Sequence, residues 1–182
     1  EGYFQEHPWP ENYVDAPPGL ERMMAFLDFS LLKPRLHRWK FNLKTGATTE
    51  EDICNETIEF GVINQHIAGV EHRYTYSMVP TKGHFTFDGI TKHDHQKNSL
   101  SKYIFPKHVF ISEVSFAPKT GAIDEDDGYL VTISNDVREK SSSCLLFDAK
   151  DIEQGPVCNI PLPHQICSGT HATWAQKSDL KS

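Results

Sequence analysis

No stretch of this chain approaches the roughly 20 consecutive apolar residues of a membrane-spanning helix, and no charged-then-apolar leader opens it. Positive charge is also in short supply. Lys and Arg number 18 against 25 Asp and Glu, a net charge of -7. No clustered basic face of the kind a polyanion needs is present, which excludes nucleic acid as a partner. Four cysteines, Cys54, Cys144, Cys158 and Cys167, are too few and too irregularly spaced for a disulfide framework. Reduced thiols and a cytoplasmic location are therefore expected, with membrane association left open. The recurrent catalytic signatures G-x-S-x-G, P-loop and H-E-x-x-H are missing as well.

What is present is ordinary globular material, 38% hydrophobic and 24% charged, cut by polar turns into short strand-like runs. Residues 1–19 hold Pro8, Pro10, Pro17 and Pro18 among Phe4, Trp9 and Tyr13, which predicts an extended segment. Leu20, Met23, Met24 and Leu27 fall at helical spacing, but the β-rich surroundings favour a strand over 26–32. From Leu36 onward the pattern is strand and turn, with a hairpin turn at Thr45-Gly46. Strands are expected at 36–43, 58–63, 73–78, 84–90, 101–105, 109–116, 128–133, 144–147 and 157–162. Residues 136–143 read as an exposed loop and 175–182 as a polar tail. The fold class is all-β.

Two sets of residues recur at a nearly constant step. Strand-like runs end at Asn42, Asp94 and Asp148, 52 and then 54 positions apart, each with a Lys in or near the following turn. Glu59 and Glu113 are 54 positions apart, and His171 follows after 58. Repeats of this kind, built from short strands with inserted loops, predict propeller blades, in which matching positions surround one axis. Glu59, Glu113 and His171 are thus expected to converge on one centre. His171 sits among small residues before Trp174, and a neutral imidazole suits iron, copper, nickel or zinc. Taken without the repeat, such a histidine is more often packed or hydrogen-bonded.

Six motifs, E-F-x-x-I-N at 59–64, F-D-G-x-x-K-x-D at 87–94, S-E-x-x-F-x-P at 112–118, E-D-D-G at 125–128, L-L-x-D-A-K-D at 145–151 and G-T-H-A-T-W at 169–174, occur in an order that resembles the carotenoid cleavage oxygenases. That family also includes stilbene-cleaving dioxygenases and a retinoid isomerohydrolase. The resemblance implies a seven-bladed β-propeller. At about 45 residues per blade this chain makes roughly four blades, so it is expected to be the C-terminal portion of a longer enzyme, with 1–174 forming the partial propeller. The resemblance further implies a non-haem Fe(II) held by four neutral histidines, some of them hydrogen-bonded by three outer glutamates. His171 matches the last of the four ligands, and Glu59 and Glu113 match two of the glutamates. The other ligands are expected upstream of Glu1. The implied activity is cleavage by O2 of a conjugated C=C bond in an apolar carotenoid, apocarotenoid or stilbene, giving two carbonyl products. No catalytic side chain beyond the metal site is implied.

Other readings compete. Cys158, His164, Cys167 and His171 are four donors within fourteen residues and could form a structural zinc site. His93 and His95 share one face of a strand, although their polar surroundings predict exposure. Asp124, Asp126 and Gly128 resemble the start of a calcium loop, but Asn135 stands where the terminal Glu belongs, and a polar turn explains the run better. Phe85, Phe87, Tyr103, Phe105, Phe110 and Phe116 could line an apolar tunnel, with a strand core as the default. A metal-free propeller that only binds a partner or ligand, and isomerohydrolase chemistry without O2, remain as alternative functions.

Overall fold

The computed structural model describes residues 1–5, 19, 29–167, 169–177 and 180. Among them there is no α-helix, and the chain divides into two compact units. The first, Glu1–Glu59 with Pro80–Phe85, is built on strands β1 (Gly2–Phe4), β2 (Arg35–Phe41) and β3 (Thr48–Asp52), which pair antiparallel in that order. Among its described residues Leu36 and Ile58 are the buried aliphatic ones. His37 packs between the rings of Phe4 and Trp39 and lies 2.7 Å from Asp52 through Nδ1. Residues 29–31 form a turn, so the strand expected over 26–32 does not run through them. The rest of that reading, with Leu20, Met23, Met24 and Leu27, and the proline-rich stretch from Pro8 to Pro18 fall outside the described residues.

The second unit, Phe60–Val79 with Thr86–Ser182, is built on a nine-stranded sheet. Its strands are β4 (Glu59–Val62), β5 (Tyr74–Pro80), β6 (Phe87–Asp94), β7 (Ser99–Ile104), β8 (Val109–Ile111), β9 (Ser115–Pro118), β10 (Gly128–Asp136), β11 (Ser141–Asp148) and β12 (Pro156–Pro161). They run in the order β12-β11-β10-β8-β6-β5-β4, with β7 added to β6 and β9 to β10. Burial alternates along β10, so Leu130, Thr132 and Ser134 face inward while Tyr129, Val131 and Ile133 do not. The core gathers Tyr76, Met78, Phe87, Ile90, Phe105, Ile111, Val114, Phe116, Leu130, Leu145 and Phe147. Of the aromatics weighed as a tunnel lining, Phe87, Phe105 and Phe116 are therefore core, Tyr103 packs against it, and Phe85 is exposed beside Phe29.

The residues that end the repeated strands share one local chemistry. The Asn42 side-chain oxygen accepts the Lys44 and Thr45 N–H groups at 3.0 and 3.1 Å. Asp94 accepts those of Gln96 and Lys97 at 3.0 and 3.1 Å, and Asp148 that of Lys150 at 2.9 Å. Each is an Asx-turn that reverses the chain after a strand. The glycines of two motifs are also explained by close approach. A Cβ on Gly89 would come 2.9 Å from the Tyr103 carbonyl oxygen, and one on Gly128 would come 2.8 Å from that of Ala117.

Two expectations change here. Of the loop expected at 136–143 only residues 137–140 are a turn, and Asp136 and residues 141–143 are strand, since β10 and β11 pair down to Asp136↔Ser141. Its serines looked loop-like, yet Ser142 is buried and donates through Oγ to the side-chain oxygen of the buried Asn135 at 2.7 Å. The single strand expected over 109–116 is two, broken at Ser112-Glu113-Val114.

Candidate metal centre

The break in that strand builds the site. β8 pairs with β10 through Ile111↔Ser134 and β9 through Ser115↔Val131, so three residues, Ser112, Glu113 and Val114, oppose only two, Thr132 and Ile133. One extra residue makes a β-bulge, a device that re-aims side chains. Ser112 stays tied to the neighbouring strand, its N–H donating to the Ile133 carbonyl and its carbonyl accepting from Thr132 Oγ1, both at 2.8 Å. Val114 is buried in the core. Glu113 leaves the pleat and meets the chain that follows β12.

The described residues 162–167 and 169–176 of that following segment have no regular structure, so their N–H groups need side-chain or isolated backbone acceptors. The sheet supplies four in succession. Leu162 N–H donates to the Ser142 carbonyl at 2.9 Å, Ile166 N–H to Ser142 Oγ at 3.0 Å, Gly169 N–H to Ser112 Oγ at 2.9 Å and Ala172 N–H to Glu113 Oε2 at 2.5 Å. His171 lies between the last two anchors, and its Nδ1 is 3.4 Å from the same Glu113 oxygen. The carboxylate is only 13% exposed, whereas the imidazole is 78% exposed. A carboxylate facing Nδ1 favours the tautomer protonated there and leaves the Nε2 lone pair outward. Carboxylate, oriented ring and open nitrogen fit one imidazole ligand of a transition metal.

Phe60, in β4, packs its ring 5.8 Å from that of His171 and 5.3 Å, edge-on, from that of Phe87. Its φ of 52° lies in the left-handed region, a conformation that costs a bulky residue about 1–3 kcal/mol and that clusters at functional sites. Glu59 immediately precedes it, opening β4 as the last residue of the first unit. Burial pushes the Glu59 carboxyl above its usual range. Of the three residues expected to converge, the second unit brings Glu113 and His171 together. Phe60 and Ser112 stood in two of the motifs without an assigned role and Ser142 carried no signal, because what they do depends on register and backbone conformation.

The remaining motifs are scaffolding around the same sheet. Asn64 Nδ2 donates to the Glu125 carbonyl at 3.1 Å, and the Glu125 carboxylate accepts the backbone N–H groups of Arg73 and Tyr74 at 2.9 and 2.7 Å. Asp126 pairs with the buried Lys92 at 2.7 Å, and Asp124 with Lys150 at 2.9 Å. The acidic run thus holds lysines and backbone, as a polar turn does, and forms no calcium cage. Among the described residues, Cys158, His164, Cys167 and His171 do not gather their donors to a common point, which removes the zinc reading. Cys158 lies exposed on β12. His93, expected to be exposed, is only 3% exposed, because β6 continues through it to Asp94.

The architecture is that of part of a β-propeller. Over 82% of its length the chain matches a variant of the Synechocystis apocarotenoid oxygenase with a TM-score of 0.76 and 25% identity, covering 32% of that chain. It belongs to the retinal pigment epithelial membrane protein family, whose model matches residues 5–176. Similar proteins include carotenoid 9,10(9',10')-cleavage dioxygenase 1 of Phaseolus vulgaris, 29% identical over 80% of this chain, and a carotenoid cleavage oxygenase of Mycobacterium tuberculosis, 30% identical over 79% of it. The chain spans only 30% and 29% of the length of these two relatives. Among the described residues no helix is long and apolar enough to cross a membrane.

Proposed function

We propose that this chain supplies part of the active centre of a non-haem Fe(II) dioxygenase that cleaves a conjugated C=C bond of a carotenoid, apocarotenoid or stilbene with O2, giving two carbonyl products. The observation that carries the reading is the Glu113 carboxylate, which grips the Ala172 N–H at 2.5 Å and faces His171 Nδ1 at 3.4 Å. Membership of the family and relatives named for carotenoid cleavage support it. In this reading His171 Nε2 is one of four imidazole ligands, and the others come from outside these residues. Glu113 orients the ring and offsets part of a dication's charge, as outer carboxylates do. Glu59, whose carboxyl is held half-buried, is the second such carboxylate. Phe60 sets an apolar ring against the imidazole and limits water on that side. Bound there, Fe(II) supplies a redox centre with open positions for O2. No described side chain of the centre is a nucleophile or general base, and the reading asks for none.

The test is made in the complete protein that contains this chain. His171→Ala is expected to lose bound iron, measured by elemental analysis, together with cleavage of a stilbene and an apocarotenoid under O2. A variant that keeps both the iron and the turnover overturns the assignment.

A further inference from the structure

A second group of imidazoles lies in the same unit, apart from His171. His72 precedes β5 and His95 follows β6, and both direct Nε2 at one hydroxyl, Thr75 Oγ1, at 3.2 and 2.8 Å. The two rings stand 5.2 Å apart and nearly perpendicular, and their ligating nitrogens are no more than 4.8 Å from each other. His93, buried, packs its ring 4.7 Å from that of His95 and forms a wall behind it. One hydroxyl proton can serve only one of the two nitrogens, so the other must bring its own proton to the oxygen. Two imidazole donors therefore lie within reach of one cation that exchanges with their bonds to this hydroxyl.

The backbone holds these two positions against each other. Arg73, next to His72, forks onto Asp94, next to His95, at 2.9 and 2.6 Å. His95 N–H donates to the Arg73 carbonyl at 2.8 Å, and Glu125 clamps the Arg73 and Tyr74 N–H groups. The neighbouring guanidinium is matched by the Asp94 carboxylate, so it leaves no uncompensated positive charge to repel a metal. Donors fixed in advance by such bonds lose little freedom on binding.

We propose that His72 and His95, held against each other by the Arg73–Asp94 fork, form a site for an imidazole-preferring divalent cation, Zn2+, Ni2+ or Cu2+, separate from the centre at His171. Two metal–nitrogen bonds of about 2.0–2.1 Å meeting on one ion span up to about 4 Å, so a small side-chain rotation brings the nitrogens into place. Affinity rises towards Cu2+ along the divalent series. A site held by only two imidazoles from this unit leaves further positions open and is exchangeable.

Cu2+ and Zn2+ are titrated into the full chain by calorimetry, and the Cu2+ form is examined by electron paramagnetic resonance for nitrogen hyperfine structure. His171→Ala is expected to retain one equivalent with two-nitrogen coupling. His72→Gln with His95→Gln, which keeps hydrogen-bonding groups on Thr75, is expected to lose that equivalent while circular dichroism shows the fold intact. The proposal is overturned if the glutamine variant binds as the parent does, or if His171→Ala abolishes all binding. Because the parent and His171→Ala are compared directly, failure here leaves the iron reading untouched, and the reverse also holds.

Discussion

A single carboxylate oxygen, Glu113 Oε2, serves both a backbone N–H and an imidazole, and this decides what its replacement does. Glu113→Gln keeps the size but removes the charge that, in the proposed centre, would set the His171 tautomer and offset the metal. Iron retention is expected to fall about 10–100-fold, the usual effect of losing an outer-shell partner, as read by metal content after dialysis against a weak chelator. Glu59 presents the opposite balance. Burial raises its carboxyl in the folded chain, so it favours folding below the unfolded value of about 4.3 and loses that advantage as pH rises through the folded one. At pH 7 it is a stability cost. Glu59→Gln is expected to raise Tm at pH 7 by about 1–2 °C, to show no gain at pH 4, and to weaken iron retention. Thermal melts at the two pH values check the sign.

Among the elements, the repeated strand with an Asx-turn at its end was legible in the sequence. A side chain bonding its own backbone two or three residues on needs nothing from the rest of the chain, and Asn42, Asp94 and Asp148 do this at their regular spacing. The bulge at Ser112-Glu113-Val114 was not legible, because an extra residue exists only relative to the register of β10. The polar ends of β10 and β11 misled for a related reason. Their buried Ser142 and Asn135 share a hydrogen bond across the hairpin, which composition cannot show. The same bulge fastens the segment that bears His171, and this can be measured. Ser112→Ala removes the acceptor of the Gly169 N–H, a bond worth about 1 kcal/mol. Hydrogen exchange at Gly169 is expected to quicken about fivefold, with the β10 amides unchanged. Equal protection in parent and variant would show that the anchor is idle.

For the molecule as a whole, the turn carboxylates set the response to acid. Arg73 and the Lys97 and Gln96 N–H groups hold the Asp94 carboxyl well below the usual range. The Glu139 and Arg138 N–H groups lower that of Asp136, and at Asp148 the opposing effect of burial is outweighed by the Lys150 N–H and by Lys119. Each therefore contributes stability above the ordinary aspartate value of about 3.9, and that contribution is lost as pH falls through the depressed folded values. The chain is expected to hold its fold at pH 5 and to lose it progressively below pH 4, followed by circular dichroism. Asp94→Asn keeps the turn but breaks the charged fork, so it is expected to lower stability at pH 7 and to flatten the acid response. The margin separating a plain sheet from a site is narrower still. A single codon accounts for the surplus residue between Ile111 and Ser115. Deleting it would leave the gene in frame and restore an unbroken ladder, while the acid that steadies the imidazole would be redirected with the pleat.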